Sequence, residues 1–160
     1  MNKAYLLIGG NMGERQQNLD KARAFFNEQC GKIINYSSVY ETAAWGNTEQ
    51  PAFLNQAVEL ETAFDAKKLM RWILKTENKM GRIRKEKYGP RIIDIDILLF
   101  NEEQYNYSFL KIPHPELHNR RFALTPLAEI APKAIHGGFN KTIQSLLYEC
   151  KDELSVRKIN

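Results

Sequence analysis

Between Ile92 and Phe100 the chain reads Ile-Ile-Asp-Ile-Asp-Ile-Leu-Leu-Phe, and no other stretch restricts the fold so tightly. Such a run, rich in β-branched residues and following Gly89-Pro90, predicts a strand. Successive side chains of a strand point to opposite faces, so Ile93, Ile95, Ile97 and Leu99 are expected on one face and Asp94 with Asp96 on the other. Two adjacent carboxylates without a counter-charge repel and raise at least one pKa. A divalent cation removes the conflict, because hard carboxylate oxygens suit Mg²⁺, which keeps waters and accepts phosphate oxygens. From spacing alone, this metal reading and a plain sheet surface paired with Arg or Lys stand level.

The segment just before the strand supplies a reason for metal. Lys79, Arg82, Arg84, Lys85, Lys87 and Arg91 are opposed only by Glu86. Phosphoryl transfer spreads negative charge over oxygens and is catalysed mainly by positioned cations, so an acidic pair beside a basic loop suits a nucleotide phosphate. Taken singly, each of these cations is equally a member of a solvated charge run. Arg91 differs, since the Gly89-Pro90 turn holds it next to the acidic strand.

The remainder of the chain alternates strand and helix. Tyr5 to Ile8 reads as a first strand, Glu14 to Gln29 as a helix, and Ile33 to Tyr40 and Phe53 to Leu60 as two further strands. Asp65 is placed to cap a helix ending near Gly81. Helices are expected around Phe122 to Ile130 and from Thr142 to Cys150. The order β-α-β-β-α-β predicts an α+β, ferredoxin-like antiparallel sheet with additional C-terminal helices. At 160 residues, all of it fits one domain, residues 1–160.

Three smaller features bear on chemistry. Glu77 falls on the apolar stripe of the second helix, so its carboxylate points inward and needs either a loop arginine or a ligand. His114 and His118 have the spacing of a helical zinc pair, but Pro115 between them argues against zinc and for a tight loop, with His114 free to bond a nucleotide. Neither GxGxxG nor GxxxxGK[ST] occurs, which excludes a Walker-type phosphate loop.

Composition excludes other classes. The net charge of +4 favours anionic partners without choosing among them. Cys30 and Cys150 stand alone, which suggests a reducing, cytoplasmic setting. No apolar run approaches a membrane span, so no membrane partner is expected. An RNA-binding module of similar fold would stack bases on aromatic residues in an RRM pattern; that pattern is missing, and Asp94 and Asp96 would repel the RNA backbone. A two-metal nuclease would share the carboxylates and arginines.

Gly89-Pro90-Arg91-Ile92-Ile93-Asp94-Ile95-Asp96-Ile97-Leu98 resembles the signature of the hydroxymethyl-dihydropterin pyrophosphokinases of folate synthesis. The likeness runs through Gly9 to Gly13, Ser37 to Thr42, Phe53-Leu54-Asn55, Gly81 to Arg84, Pro113-His114 and Asn119 to Phe122. It implies transfer of the β,γ-pyrophosphoryl group of ATP to the pterin hydroxymethyl oxygen, with two Mg²⁺ bridged by Asp94 and Asp96. The resemblance further implies that Arg82 and Arg91 contact the transferred phosphates, and that Glu77, Arg84, Tyr88, His114 and Arg120 line the ATP site. The pterin would lie between Phe122 and the Thr42, Ala43, Trp45 loop, beside Phe53 and with Asn55 bonding its edge. Small-molecule substrates, no nucleic acid and a monomer are implied. The chain departs from the usual family pattern at Gly10, Trp45, Phe53 and Tyr88.

Overall fold

The computed structural model describes residues 1–44, 49–82 and 89–159. A six-stranded antiparallel sheet is built around β1 (Asn2–Gly10), which pairs with β4 (Phe53–Thr62) on one side and β5 (Asp94–Phe100) on the other. The far side of β4 takes β2 (Lys32–Tyr36) and then β3 (Tyr40–Thr42) in succession. The helix α1 (Arg15–Gln29) joins β1 to β2, and α2 (Ala66–Lys79) joins β4 to β5. This is the expected β-α-β-β-α-β order: the α1 crossover passes over β4 and the α2 crossover over β1, each skipped strand lying antiparallel between the two it separates.

Each face of the sheet buries its own core. Leu6, Ile8, Leu60, Ile93, Ile95 and Ile97 pack with Phe26 of α1 and Leu69 and Ile73 of α2. On the opposite face Tyr5, Leu7, Ala57, Leu98 and Leu99 meet α3 (Arg121–Ile130) and α4 (Ile143–Glu149), through Leu124, Leu127 and Ile143. Leu99 therefore lies opposite to its expected face. Leu6 pairs with Ile97 while Tyr5 pairs with Leu99, so Leu98 is an extra residue, and the bulge reverses alternation beyond it. Asp94 and Asp96 precede the bulge and keep their common face.

Other boundaries also shift. The predicted strand from Ile33 to Tyr40 is broken after Tyr36, and ordered pairing in the last predicted strand begins at Asp94. Two hairpins had no legible pattern: β6 (Tyr105–Tyr107) with β7 (Leu110–Ile112), and β8 (Ile135–His136) with β9 (Lys141–Thr142). The C-terminal β10 (Val156–Lys158) pairs with β3, so Val156 lies opposite Thr42. Among the described residues no helix is long and apolar enough to cross a membrane.

Asp65 caps α2 as expected, its side chain accepting a hydrogen bond from the Lys68 amide at 2.8 Å. Asp65→Ala should cost about 1 kcal/mol of stability, measured by urea unfolding.

Candidate active site

The register of three strands lays out the site as rows on the α3 side of the sheet. Asn55, Gly9 and Asp94 stand in one row across β4, β1 and β5, and Ala57, Leu7 and Asp96 in the next. Thr42 faces Phe53 on the outer side. A Cβ at Gly9 would sit 2.2 Å from Asn55 Oδ1, so the missing side chain lets Asn55 lean into a hollow bounded by Asp94. Ala43, Arg91, Arg120 and Phe122 complete its walls, together with Leu7, Thr42, Phe53 and Asp96.

Asp94 is held by two guanidinium groups. Arg82 Nη1 donates to Asp94 Oδ1 at 2.7 Å, and Arg91 Nη1 to Asp94 Oδ2 at 3.0 Å. The same Arg82 nitrogen donates to Glu77 at 2.9 Å, and Glu77 also accepts from the Ile95 amide at 2.9 Å. Glu77 is buried as its helical position required, and it bridges Arg82 and β5. Arg91 further donates to Gly89 O and stands 5.2 Å over the Phe53 ring.

Asp96 is in a different state. Burial, reinforced by neighbouring Asp94, pushes its carboxyl up to about 7, against the pull of Arg120 and Arg82. His114 approaches it with Nε2 at 3.9 Å, too far for a hydrogen bond. Burial and the Arg120 charge push His114 down to about 4, so the ring is neutral at pH 7. Its Nδ1 accepts from the Glu116 amide at 3.1 Å, which assigns the proton to Nε2, on the Asp96 side. Arg120 lies 5.6 Å over the Phe122 ring, at the start of α3.

Among the described residues, two buried polar atoms of the site, Thr42 Oγ1 and Arg82 Nε, have no hydrogen-bond partner. Unsatisfied groups of this kind are costly in a closed core and make sense where a ligand supplies the missing bond. Trp45, Arg84 and Tyr88, expected at the site, lie outside the described residues.

The family profile described as 7,8-dihydro-6-hydroxymethylpterin-pyrophosphokinase (HPPK) matches residues 5–132. The chain belongs to the HPPK family. A 2-amino-4-hydroxy-6-hydroxymethyldihydropteridine pyrophosphokinase of Bacillus subtilis is 41% identical over 130 residues, 81% of this chain and 78% of the relative. One from Aquifex aeolicus is 40% identical over 144 residues, covering 90% and 89% respectively. The HPPK fold is seen directly in a Plasmodium falciparum HPPK-DHPS crystal structure with pteroate, at a TM-score of 0.75 and 18% identity. That likeness covers 92% of this chain but 44% of the longer Plasmodium chain.

One residue of this HPPK site escaped sequence reasoning. Asn11, buried behind Gly9-Gly10, exchanges hydrogen bonds with Arg91: its amide donates to Arg91 O at 2.9 Å and its Oδ1 accepts from the Arg91 amide at 2.8 Å. Its Nδ2 donates to Gln50 Oε1 at 2.8 Å and Pro51 O at 2.9 Å. A single side chain thus ties the end of the β3–β4 loop to the end of the basic loop. A buried Asn beside glycines is the only trace of this in the sequence.

Two outcomes follow from the geometry. Asn11→Ala should lower kcat/KM by about 10- to 100-fold while circular dichroism stays native, because the two loop ends lose their common reference. For Asp96, a folded-state pKa raised from 3.8 to about 7 means that the native state binds more protons than the unfolded chain between those values, so stability falls as pH rises through that window. Asp96→Asn should therefore raise the melting temperature of the metal-free protein by about 2–4 °C at pH 8, with the difference closing near pH 4, as read by scanning calorimetry.

Proposed function

We propose that the hollow between Gly9, Asn55 and the Asp94–Asp96 pair is where this HPPK transfers pyrophosphate from ATP to the hydroxymethyl group of 6-hydroxymethyl-7,8-dihydropterin, giving AMP and the pterin diphosphate for folate synthesis. The single observation that carries the reading is the same-face placement of Asp94 and Asp96 beside Arg82 and Arg91, in a chain of this family.

The donor set fits magnesium. Two carboxylates face one hollow, and among the described residues no third His, Cys, Asp or Glu joins them to form a closed cage. Mg²⁺ takes few protein ligands and completes its shell with phosphate and water. Two Mg²⁺ ions, each held by Asp94 and Asp96, would neutralise the triphosphate and the charge that develops on transfer. Arg82 and Arg91, now on Asp94, are within reach of phosphate oxygens in the same space, and the unbonded Arg82 Nε provides a donor for one of them. Glu77 acts through Arg82 by fixing its guanidinium from behind. Arg120 and neutral His114 flank the ATP side; a neutral imidazole donates from Nε2 without adding charge to the phosphate site.

The pterin, a flat heterocycle, suits a slot with an aromatic wall and a few aimed polar groups. Phe122 forms that wall, facing Thr42 and Ala43, and Asn55 offers both amide donor and carbonyl acceptor to the ring edge. Phe53 contributes apolar surface there and gives Arg91 a ring to lie on. Trp45, Arg84 and Tyr88 are assigned to pterin and ATP by family resemblance.

We further propose one domain, since the first strand and the last share a sheet, and a monomer. Both cysteines are free thiols, which supports a reducing, cytoplasmic setting.

Incubation with ATP, Mg²⁺ and the hydroxymethyl dihydropterin should give AMP and the pterin diphosphate. ADP, or cleavage of nucleic acid without AMP, would overturn the reading. Asp96→Ala should abolish transfer in a folded protein, and near-normal turnover by that variant would remove Asp96 from the metal site.

A further inference from the structure

The edge of the sheet beside the pterin slot is out of step by one residue. Tyr36 pairs with Val58, yet Tyr40 pairs with Asn55, so four steps along the edge strand match three along β4. Uninterrupted pairing from Tyr36 would set Glu41, not Thr42, opposite Phe53. Because alternation is strict, the same slip would turn the Glu41 carboxylate toward the hollow and Thr42 away from it. A third carboxylate there would add to the repulsion already raising Asp96. The extra residue between Tyr36 and Tyr40 therefore decides which side chain the slot receives.

What fixes that irregularity comes from the other wall of the slot. Glu129, near the end of α3, accepts from the Ser38 amide at 2.9 Å, from Ser38 Oγ at 3.1 Å and from the Tyr40 hydroxyl at 2.5 Å. All three donors belong to the stretch where the extra residue is accommodated. Within that stretch Ser37 is bonded separately to β4, its hydroxyl accepting from the Ala57 amide at 3.0 Å and its carbonyl accepting from Gln56 Nε2 at 2.7 Å. Burial tends to raise the Glu129 carboxyl, but the Tyr40 and Ser38 hydrogen bonds, with the charge of Lys158, hold it below the usual carboxylate range. Lys158 pairs with Tyr40 from β10, so that strand closes the same corner.

The α3 helix carries Phe122 in its first turn and Glu129 in its last. We propose that Glu129 is a positioning residue for the pterin: it ties α3 to the Ser38–Tyr40 irregularity, and so fixes both the spacing between the Phe122 and Thr42–Ala43 walls and the choice of Thr42 over Glu41. This rests on the assignment of the slot to pterin. Glu129 faces solvent on its outer side and touches neither substrate nor metal residues, so its effect passes through Thr42 and Ala43.

Steady-state kinetics on Glu129→Ala, and separately on Ser38→Ala combined with Tyr40→Phe, test it from both ends. Each should raise the KM for the pterin by about fivefold to tenfold while the KM for ATP moves less than about twofold. Amide exchange at residues 41–43 should accelerate in both. Glu129→Gln, which keeps length and one acceptor oxygen, should recover part of the pterin KM. Unchanged pterin KM and exchange in folded variants, or equal losses for both substrates, would overturn the proposal. If Glu129→Ala fails to fold, the Ser38–Tyr40 variant decides by the same criteria. AMP formation by the unmodified chain is measured first, so failure of the slot assignment is distinguished from failure of this role.

Discussion

Asp94 and Asp96 are like charges held on one face of a central sheet, and the surrounding structure is organised around that conflict. Asp94 is neutralised by Arg82 and Arg91 at 2.7 and 3.0 Å. Asp96 receives weaker compensation and its carboxyl rises to about 7. Two part-buried carboxylates side by side cost stability in a purely structural sheet, because replacing them by neutral side chains relieves both desolvation and repulsion. In the proposed reaction, the cations that neutralise Asp94 are those a polyphosphate would draw away, and metal ions would replace them at the carboxylates.

Placement of these groups depends on two local distortions that strand periodicity conceals. The bulge at Leu98 ends the alternation that begins at Ile93, allowing Leu98 and Leu99 both to pack beneath α3. The extra residue between Tyr36 and Tyr40 sets Thr42 opposite Phe53. Between these distortions lies a regular patch of three strands, and Gly9 at its middle leaves out one side chain to form the hollow. Rigid sheet supplies the floor, while the loops and the start of α3 supply the walls, which matches the division between scaffold and function common in enzymes.

Binding and chemistry are physically connected through few residues. Asn11 joins the β3–β4 loop to Arg91, and Glu77 joins α2 to Arg82 and to β5. Their neighbours in the hollow include groups proposed for phosphate and groups proposed for pterin, so a displacement on one side is felt on the other. Buried polar networks of this sort are costly when half-satisfied, which gives each member a defined geometry.

The strand from Asp94 to Phe100, the Asp65 cap, the inward carboxylate of Glu77 and the β-α-β-β-α-β order were all legible in the chain itself, because each depends on neighbours within one turn or on period-2 and period-3.6 patterns. Resemblance along the chain identified the family. Leu99, Asn11 and the short strands β6 to β10 were not legible. Leu99 changes face because of pairing between Tyr5 and Leu6 on another strand, Asn11 gains its meaning from partners at Gln50 and Arg91, and a three-residue strand has too few residues to show a period. Sequence by itself determined that two carboxylates would share a face beside a cluster of cations. Only tertiary structure decided which cations reach them, how far apart the substrate walls stand and which side chain each strand edge presents, because register and packing are set by residues distant in the chain.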